Sequence, residues 1–410
     1  MLFDLALGGH HGNYIQHQID RAYQQGFRGA IDIVVLPEFA SVHQDTVAAI
    51  DRAQQPQLEI QLVAISAAEA TGLGSRNSGL TRARRNFREW QLFCKYAEAL
   101  HTTHALIMYL DTCELPLAMG MRSPCAFSGI YFRPTVHYQM FANYQPNRKD
   151  KLQQWRERLT WARILKHPQL ETVFCLDPFA VTALAAQHPH TKVVHLADPV
   201  QPYPAKSDDL TALKTQLGIA AERQVFLLFG GVDGRKGIYQ LLEAISLLPP
   251  AVCKQFCLLL VGQPHPTDRV NIHQKITALC ETKLIQAIEH YEFIPEADVP
   301  TYFQLADAIL APYQRHVGMS GILLLAAAAG KPVLSSDYGL MGELARQYQL
   351  GLVVDSTQPT EIAKALTTLM SVSPHTISNS SQMQLFAAQN SIDLYASTIF
   401  AHLPIEHGIS

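Results

Sequence analysis

The feature that most constrains the fold is an alternation of short apolar runs with helical patterns along most of the 410-residue chain. In the first half, runs such as Ile33–Leu36 and Ala105–Leu110 are strand-like. Between such runs lie stretches such as Tyr14–Gln25, in which apolar residues recur every three or four positions. Strands that alternate with helices form parallel sheets covered by helices on both faces, so the sequence predicts an α/β fold.

The alternation restarts after the segment Ala197–Pro204, which contains three prolines and is the best linker candidate. A chain of 410 residues suits two domains of about 200 residues each. We therefore predict two doubly wound, Rossmann-like domains that face a cleft. The predicted boundaries are 1–200 for the N-terminal domain, 201–380 for the C-terminal domain, and 381–410 for a last helix that can pack back on the N-terminal domain.

Composition excludes several classes of protein. The net charge of −3 gives no overall attraction to nucleic acid, and the seven scattered cysteines predict reduced, mostly buried thiols. No signal peptide or metal-ligand motif is visible. The longest apolar stretch, Ile322–Ala329, is far shorter than the roughly 20 residues that span a bilayer. We expect a cytoplasmic protein that meets a membrane only at its periphery.

The loop at 230–237 lies between a predicted strand, Gln224–Phe229, and a predicted helix. Glycines such as Gly231 let a backbone approach a ligand closely, and the start of the next helix favours an anion. Arg235 and Lys236 add two positive charges, a combination suited to a diphosphate. A tight turn with solvated basic residues explains the same pattern, and the loop alone does not separate the two interpretations.

A second loop of this kind follows the predicted strand Ala308–Ala311. The small residues of His316–Gly321 open a predicted helix and expose backbone N–H groups that suit a phosphate. The alternative is that Gly318, Ser320 and Gly321 only cap the helix.

In the N-terminal half, Gly8–Asn13 contains paired histidines, His10 and His11, at the end of the first predicted strand. The carboxyl ends of parallel strands are where ligands of such sheets lie, although solvated histidines are the alternative. Asp111 ends another predicted strand and is either an acceptor-side carboxylate or a helix N-cap. Nearby, His137 is expected to be structural.

Residues 224–370 resemble the donor-binding domain of family-4-type GT-B glycosyltransferases. The family's strand-loop ending in Lys-Gly is matched by Arg235-Lys236-Gly237. Its Pro-Tyr, small-residue loop, apolar helix and Gly-x-Pro-Val run is matched by 311–333, and its trailing Asp-x-Gly and Glu by Asp337 and Glu343. The N-terminal half matches loosely, through the glycine-rich loop that contains Gly9.

The resemblance implies a glycosyltransferase that moves a sugar from a nucleotide-sugar to a hydroxyl of a glycan or lipid-linked acceptor. It further implies retention of the anomeric configuration, no metal, and no cofactor beyond the nucleotide-sugar co-substrate. The residues expected to bind the donor are Gly9, Gly231, Arg235, Lys236, Gly318, Met319, Ser320, Gly321 and Glu343. Those expected to orient or deprotonate the acceptor are His10, His11 and Asp111.

The sequence also departs from the family. The usual pair of glutamates falls at Val317 and Leu325, and neither is acidic. Two alternatives therefore stay open: a catalytically inactive GT-B protein that binds nucleotide or a partner in polysaccharide assembly, and a nucleotide-sugar epimerase. The absence of an acidic catalytic set from the C-terminal loops counts against the epimerase.

A helix predicted at Arg82–Leu100 begins with four arginines near two aromatic residues, Phe87 and Trp90. These arginines, within Arg82–Arg88, could contact acidic lipid head groups, which would suit a lipid-linked acceptor. The alternative is a solvated face whose aromatic residues turn inward.

Overall fold

The structure is a computed structural model that describes residues 1–8, 11–74, 79–141, 144–187, 192–200 and 207–403. The chain forms two compact units. The first unit comprises Met1–Gln139, Pro146–Pro199 and Ile392–Ser410, and the second comprises Met140–Gln145 and Val200–Ser391. Each unit contains its own parallel sheet.

The strands of the first unit alternate with helices along the chain. Its elements are β1 (Leu2–Phe3), α1 (His11–Gln24), β2 (Gly29–Val35), α2 (Phe39–Val42), α3 (Gln44–Ala53), β3 (Leu58–Ala64), α4 (Ala67–Leu73), α5 (Gly79–Ala99), β4 (His104–Ile107), α6 (Glu114–Ala118), β5 (Ala126–Tyr131), α7 (Arg148–Ile164), β6 (Leu170–Cys175), α8 (Pro178–Gln187) and β7 (Lys192–His195). The terminal helix α19 (Ile392–His402), which follows the second unit, completes it.

The second unit repeats this alternation. Its elements are α9 (Ser207–Gln216), β8 (Gln224–Phe229), α10 (Ile238–Ser246), α11 (Pro250–Cys253), β9 (Phe256–Val261), α12 (Pro266–Thr282), β10 (Gln286–His290), α13 (Val299–Leu305), β11 (Ala308–Ala311), α14 (Gly321–Ala328), β12 (Val333–Ser336), α15 (Gly339–Gln347), β13 (Gly351–Val354), α16 (Pro359–Ser371), α17 (Pro374–Ile377) and α18 (Ser380–Ala388).

Both sheets have doubly wound topology. The strand order is β3-β2-β1-β4-β5-β6-β7 in the first unit and β10-β9-β8-β11-β12-β13 in the second. All the ladders between these strands are parallel; for example, Leu2 pairs with both Ile33 and Leu106. In each sheet the direction of winding reverses at one place, between β1 and β4 or between β8 and β11. The predicted pair of Rossmann-like α/β domains is confirmed.

The central strands are buried on both faces, which explains why they are continuous apolar runs rather than alternating ones. In β9 all six residues of Phe256–Val261 are buried. The core of the first unit is built around Trp90, Phe93 and Phe127, whose ring centroids lie 5.0 to 6.1 Å apart. This burial turns the aromatic side of α5 inward.

The last helical stretch differs from the prediction. The sequence predicts one helix over Gln382–His402, whereas the chain forms α18 and α19 with a break before Ile392. α18 belongs to the second unit and α19 to the first. The break accompanies a bridge between Ser391 and Val200, which holds the chain in an extended conformation there.

A buried hydrogen bond helps to hold the end of the first unit. The Tyr14 hydroxyl on α1 donates to Asp198 Oδ1 at 2.5 Å, and the Tyr14 ring packs on Tyr395 of α19. Burial, with the neighbouring Asp198 carboxylate, raises the pKa of Tyr14 well above its ordinary value, so the hydroxyl remains a donor.

Among the described residues, no helix is both long enough and apolar enough to cross a bilayer.

We expect the substitution Tyr14→Phe to destabilise the first unit by about 1–3 kcal/mol, because it removes a hydrogen bond to a buried carboxylate. The measurement is urea-induced unfolding of the full chain. The matched control is Tyr23→Phe on the same helix, where the side chain is 46% exposed. Equal stability of the two variants would contradict the assignment.

Candidate functional site

Two of the predicted loops lie at neighbouring strand ends of the second unit. The loop at 230–237 follows β8, and the loop at 312–320 follows β11. These two strands are adjacent and flank the place where the winding of the sheet reverses. In open α/β sheets, ligands bind in the crevice that such a reversal leaves outside the carboxyl ends of the strands.

The two loops contact each other through their backbones. The Gln314 N–H donates to the Arg235 carbonyl at 2.8 Å. Gly237 has φ +78°, and a Cβ at this position would collide with the Pro312 carbonyl oxygen. Only a residue without a side chain therefore allows the loops to approach this closely.

Lys236 is the most buried charged side chain of the first of these loops, with 6% exposure. Its ammonium donates to the Phe229 carbonyl and lies 5.0 Å from the centroid of the Tyr313 ring. An ammonium has three donors, so this arrangement leaves capacity for an anionic ligand. Arg235 is about half exposed, and its guanidinium lies 5.7 Å from the centroid of the same ring.

The loop that follows β11 leads into α14, and the first turn of this helix has backbone N–H groups without an acceptor among the described residues. Ser320 is the N-cap of α14, but its side chain makes no capping bond. The N–H groups of Gly321 and Ile322 in the first turn have no acceptor among the described residues. His316 Nε2 lies 3.3 Å from the Met319 carbonyl, a contact that folds the loop back on itself.

The end of β13 anchors this loop from below. The Ser356 hydroxyl donates to the Tyr313 carbonyl at 2.8 Å, and the Gln314 side chain donates to the Ser356 carbonyl at 2.7 Å. These bonds link the backbone at Tyr313 to the segment that follows β13.

Two other predicted features of this unit lie apart from the paired loops. Glu343 on α15 accepts a hydrogen bond from Arg346 at 3.0 Å, and none of its described contacts reaches either loop. The side chains of Val317 and Leu325, where the family has glutamates, are half-buried.

In the first unit, Gly9 and His10 lie outside the described residues. His11 begins α1, and its Nδ1 lies 2.7 Å from Oδ2 of the buried Asp4, just beyond β1. Asp4 also accepts a hydrogen bond from the Ala6 N–H at 3.0 Å.

The His11 ring lies against two aromatic rings, those of Tyr109 and Phe132, with centroids 5.7 and 6.3 Å away. These residues come just after β4 and β5. His11 is therefore held at the reversal point of the first sheet, between β1 and β4. Asp4 contacts the Nδ1 side of the ring, so Nε2 is the ring nitrogen that lies outside this pair.

Asp111 is not a helix N-cap, which was one of its two predicted roles. It lies in a 3-10 turn, Leu110–Cys113, and its two oxygens accept hydrogen bonds from the Phe132 and Arg133 N–H groups at 2.9 and 3.0 Å. Burial raises the pKa of Asp111 to about 6, although these backbone donors oppose the shift. Asp111 joins β5 to the turn after β4 rather than capping a helix.

The expectation that His137 is structural agrees with its surroundings. Its Nε2 lies 3.0 Å from Asp177 Oδ2, and both side chains are fully buried. Asp177 in turn caps α8 by accepting from the Phe179 and Ala180 N–H groups.

Sequence reasoning missed four residues that shape these sites: Asp4, Tyr313, Gln314 and Ser356. The signal for Asp4 is a charged residue inside the otherwise apolar run Phe3–Leu7. Tyr313 belongs to the Pro-Tyr motif, and nothing in that pattern shows that its ring lies beside Lys236.

Comparison with known families gives a match to the segment that contains both loops. Residues 223–371 match the family described as "Glycosyl transferases group 1". This segment resembles the domain that the family model describes. It contains both loops at the reversal point, together with Glu343.

The relatives matched by sequence include the lipopolysaccharide glucosyltransferase WaaG of Escherichia coli, 33% identical over 120 residues, or 29% of each chain. Another is the D-inositol 3-phosphate glycosyltransferase of Jonesia denitrificans, 24% identical over 47% of this chain and 43% of that protein. The chain therefore aligns with less than half the length of these relatives.

Among solved structures, Anabaena HepE in complex with UDP and glucose covers 98% of this chain and 97% of its own, with a TM-score of 0.66 and 15% identity. A crystal structure of WaaG covers 100% and 99%, with a TM-score of 0.62 and 15% identity. The chain thus has a GT-B fold with two Rossmann-like domains, and the matched segment lies within the second unit.

We expect Gly237→Ala to separate the two loops, because the added Cβ collides with the Pro312 carbonyl and the backbone has a positive φ. Hydrogen exchange of the Gln314 N–H should speed up by about fivefold or more, the equivalent of a loss near 1 kcal/mol.

The matched control is Gly234→Ala in the same loop, where a Cβ would meet the Tyr239 ring at an ordinary 3.5 Å. We expect Gln314 exchange to remain unchanged in this variant. Similar exchange in both variants would show that the Gly237 contact does not hold the loops together.

Proposed function

We propose that this protein transfers a sugar from a nucleoside diphosphate sugar to a hydroxyl group of a glycan or lipid-linked acceptor. The observation that carries the proposal is the buried Lys236 ammonium beside the Tyr313 ring, where the two loops of the second unit meet. A largely buried cation is stable only when it is paired with an anion or hydrogen-bonded to acceptors. A pyrophosphate would supply both.

In this proposal the residues of the two loops act mainly by electrostatic stabilisation of the leaving group. As the bond between the anomeric carbon and the phosphate oxygen breaks, negative charge accumulates on the leaving diphosphate. Lys236, Arg235 and the free N–H groups at the start of α14 can stabilise that charge, which lowers the barrier. Their positions are fixed before the reaction by the contacts between the loops.

The acceptor hydroxyl forms the new bond to the anomeric carbon and loses its proton. In the retaining course that the family resemblance implies, the leaving phosphate takes that proton. His11 is then proposed to orient the acceptor through Nε2, since Asp4 occupies its Nδ1 side. Asp111 stays a candidate for orienting the acceptor, because each of its oxygens accepts one backbone hydrogen bond and has a second lone pair.

The names of similar proteins suggest which donors to test first. WaaG is described as a glucosyltransferase, and HepE was crystallised with UDP and glucose. UDP-glucose is therefore the first candidate donor for this chain, followed by GDP- and ADP-sugars.

A second candidate function is a protein of the same fold that binds a nucleotide without transferring sugar. Val317 and Leu325 favour it, because apolar side chains stand where the family has glutamates. A thermal-shift screen with UDP-, GDP- and ADP-sugars, followed by transfer and donor-hydrolysis assays, separates the two functions. Binding without transfer or hydrolysis would favour the second, and no binding at saturating nucleotide would contradict both.

We expect Lys236→Ala to weaken donor binding or turnover by about 1.5–3 kcal/mol, roughly 10- to 150-fold, because a charge-assisted contact with phosphate is lost. Isothermal titration with nucleoside diphosphate is the measurement. The control is Lys254→Ala, an exposed lysine of the same unit. If both variants bind as the unsubstituted protein does, Lys236 does not hold the diphosphate.

We expect His11→Ala to lower kcat by about tenfold or more while nucleoside diphosphate affinity stays within about twofold, since an orienting group acts on the acceptor. Asp4→Asn should have a similar but smaller effect, because an amide can still contact Nδ1 but no longer favours the Nδ1–H tautomer.

The control for these variants is His101→Asn, an exposed histidine of the same unit. Nitrogen-15 NMR of labelled histidine reports the tautomer of His11 directly. A kcat unchanged in His11→Ala would rule out the proposed role.

A further inference from the structure

Helix α7 of the first unit presents an apolar stripe to solvent. Leu152, Trp155 and Leu159 are 58%, 59% and 49% exposed, respectively. Their spacing of three and four residues places all three on one face of the helix. Large side chains exposed together in this way form a patch rather than scattered single contacts.

The opposite face of α7 is firmly packed, so the stripe does not arise from a loosely attached helix. The Trp161 ring stacks on Tyr131 with centroids 3.8 Å apart, and its Nε1 donates to Glu114 at 3.0 Å. The Glu157 carboxylate accepts hydrogen bonds from Tyr131 and from the Thr135 N–H, each at 2.6 Å. These contacts fix which face of the helix points outward.

Basic side chains flank the stripe. The 17 residues of α7 include six lysines or arginines and two acidic residues, a net charge of +4, although the whole chain carries −3. Arg158 donates to the Val136 carbonyl. The other five are exposed and form no ion pair with any described residue: Arg148, Lys149, Lys151, Arg156 and Arg163.

We propose that α7 is a membrane-surface helix that binds the first unit to a bilayer containing anionic lipids. Helices that lie in the lipid interface combine an apolar face with flanking lysine and arginine residues, as this one does. The charge of the patch is complementary to acidic head groups, and the Trp155 ring suits the boundary between acyl chains and water.

The helix expected from the sequence to contact lipid, α5, fits this role less well. Arg85 pairs with Glu89 at 2.6 Å and donates to the Gly74 carbonyl, while Arg88 donates to the Gly72 carbonyl. Its aromatic residue Trp90 is fully buried. Two of its arginines thus serve contacts within the unit, and its aromatic side is not available to a bilayer.

The position of the tryptophans allows a direct test with the full chain. Of the three tryptophans, Trp90 and Trp161 are buried, and Trp155 is exposed. With vesicles of phosphatidylcholine and phosphatidylglycerol, we expect cosedimentation and a blue shift of tryptophan emission, both weakened by salt. Vesicles of phosphatidylcholine alone should bind far less protein. Trp155→Phe should abolish the shift but keep most of the binding.

Two sets of variants separate the apolar and basic contributions. Leu152→Ser, Trp155→Ser and Leu159→Ser together should lower vesicle partitioning by about a hundredfold. Arg156→Glu with Arg163→Glu should lower it by at least about tenfold. The controls are Leu80→Ser, Met119→Ser and Phe293→Ser together, which alter apolar residues more exposed than those of the stripe, and Arg82→Glu with Arg84→Glu on α5.

The proposal is overturned if the protein does not bind anionic vesicles, or if the α7 and control variants bind alike. It is also overturned if the serine variant changes only self-association in analytical ultracentrifugation, which would identify a second copy of the chain as the partner. Vesicle binding needs no nucleotide, so its failure would leave the proposed transferase activity untouched.

Discussion

The candidate donor site depends on the close backbone approach of two loops that leave adjacent strands. Parallel strands whose winding reverses between β8 and β11 leave a gap there, and helices cannot fill it from both sides. Gly237 lets the first loop reach the Pro312 carbonyl, and the bond from Gln314 to Arg235 holds it there. Lys236 and Tyr313 owe their proximity to this backbone contact, so the position of the cation follows from the topology of the sheet.

The same reversal explains why the sequence predicts so much of the fold. Runs that are apolar on both faces, such as Gln224–Phe229, identify buried parallel strands, and loops after such strands lie along one edge of the sheet. What the pattern cannot provide is the partner of a side chain. Ser356 contacts the carbonyl of Tyr313, which lies 43 residues away in sequence. His11, the partner of Asp4, lies beside Tyr109, which is also distant along the chain. Helix boundaries near residue 391 depend similarly on a long-range bridge to Val200.

The first unit contains two histidine–aspartate pairs that differ in burial, and this difference separates a structural pair from a candidate functional one. His137 and Asp177 are both inaccessible, and Asp177 also caps a helix, which makes their contact part of the core. His11 keeps 17% of its side chain exposed while Asp4 is buried beneath it. The second arrangement fixes one ring nitrogen and leaves the other for a substrate. Since both pairs follow strand ends, their positions along the chain do not distinguish them.

The loss of the family's two glutamates bears on how such a site would recognise a nucleotide. Val317 and Leu325 cannot accept hydrogen bonds from sugar or ribose hydroxyls, so specificity would come from shape and from backbone groups. The proposed diphosphate contacts do not involve those carboxylates, because they use Lys236, Arg235 and the first turn of α14. Affinity for the phosphates and selectivity for the sugar can therefore diverge separately. A chain that keeps the phosphate-binding residues and loses the glutamates is expected to bind nucleotide-sugars of the usual class. It would select among the sugars by different contacts.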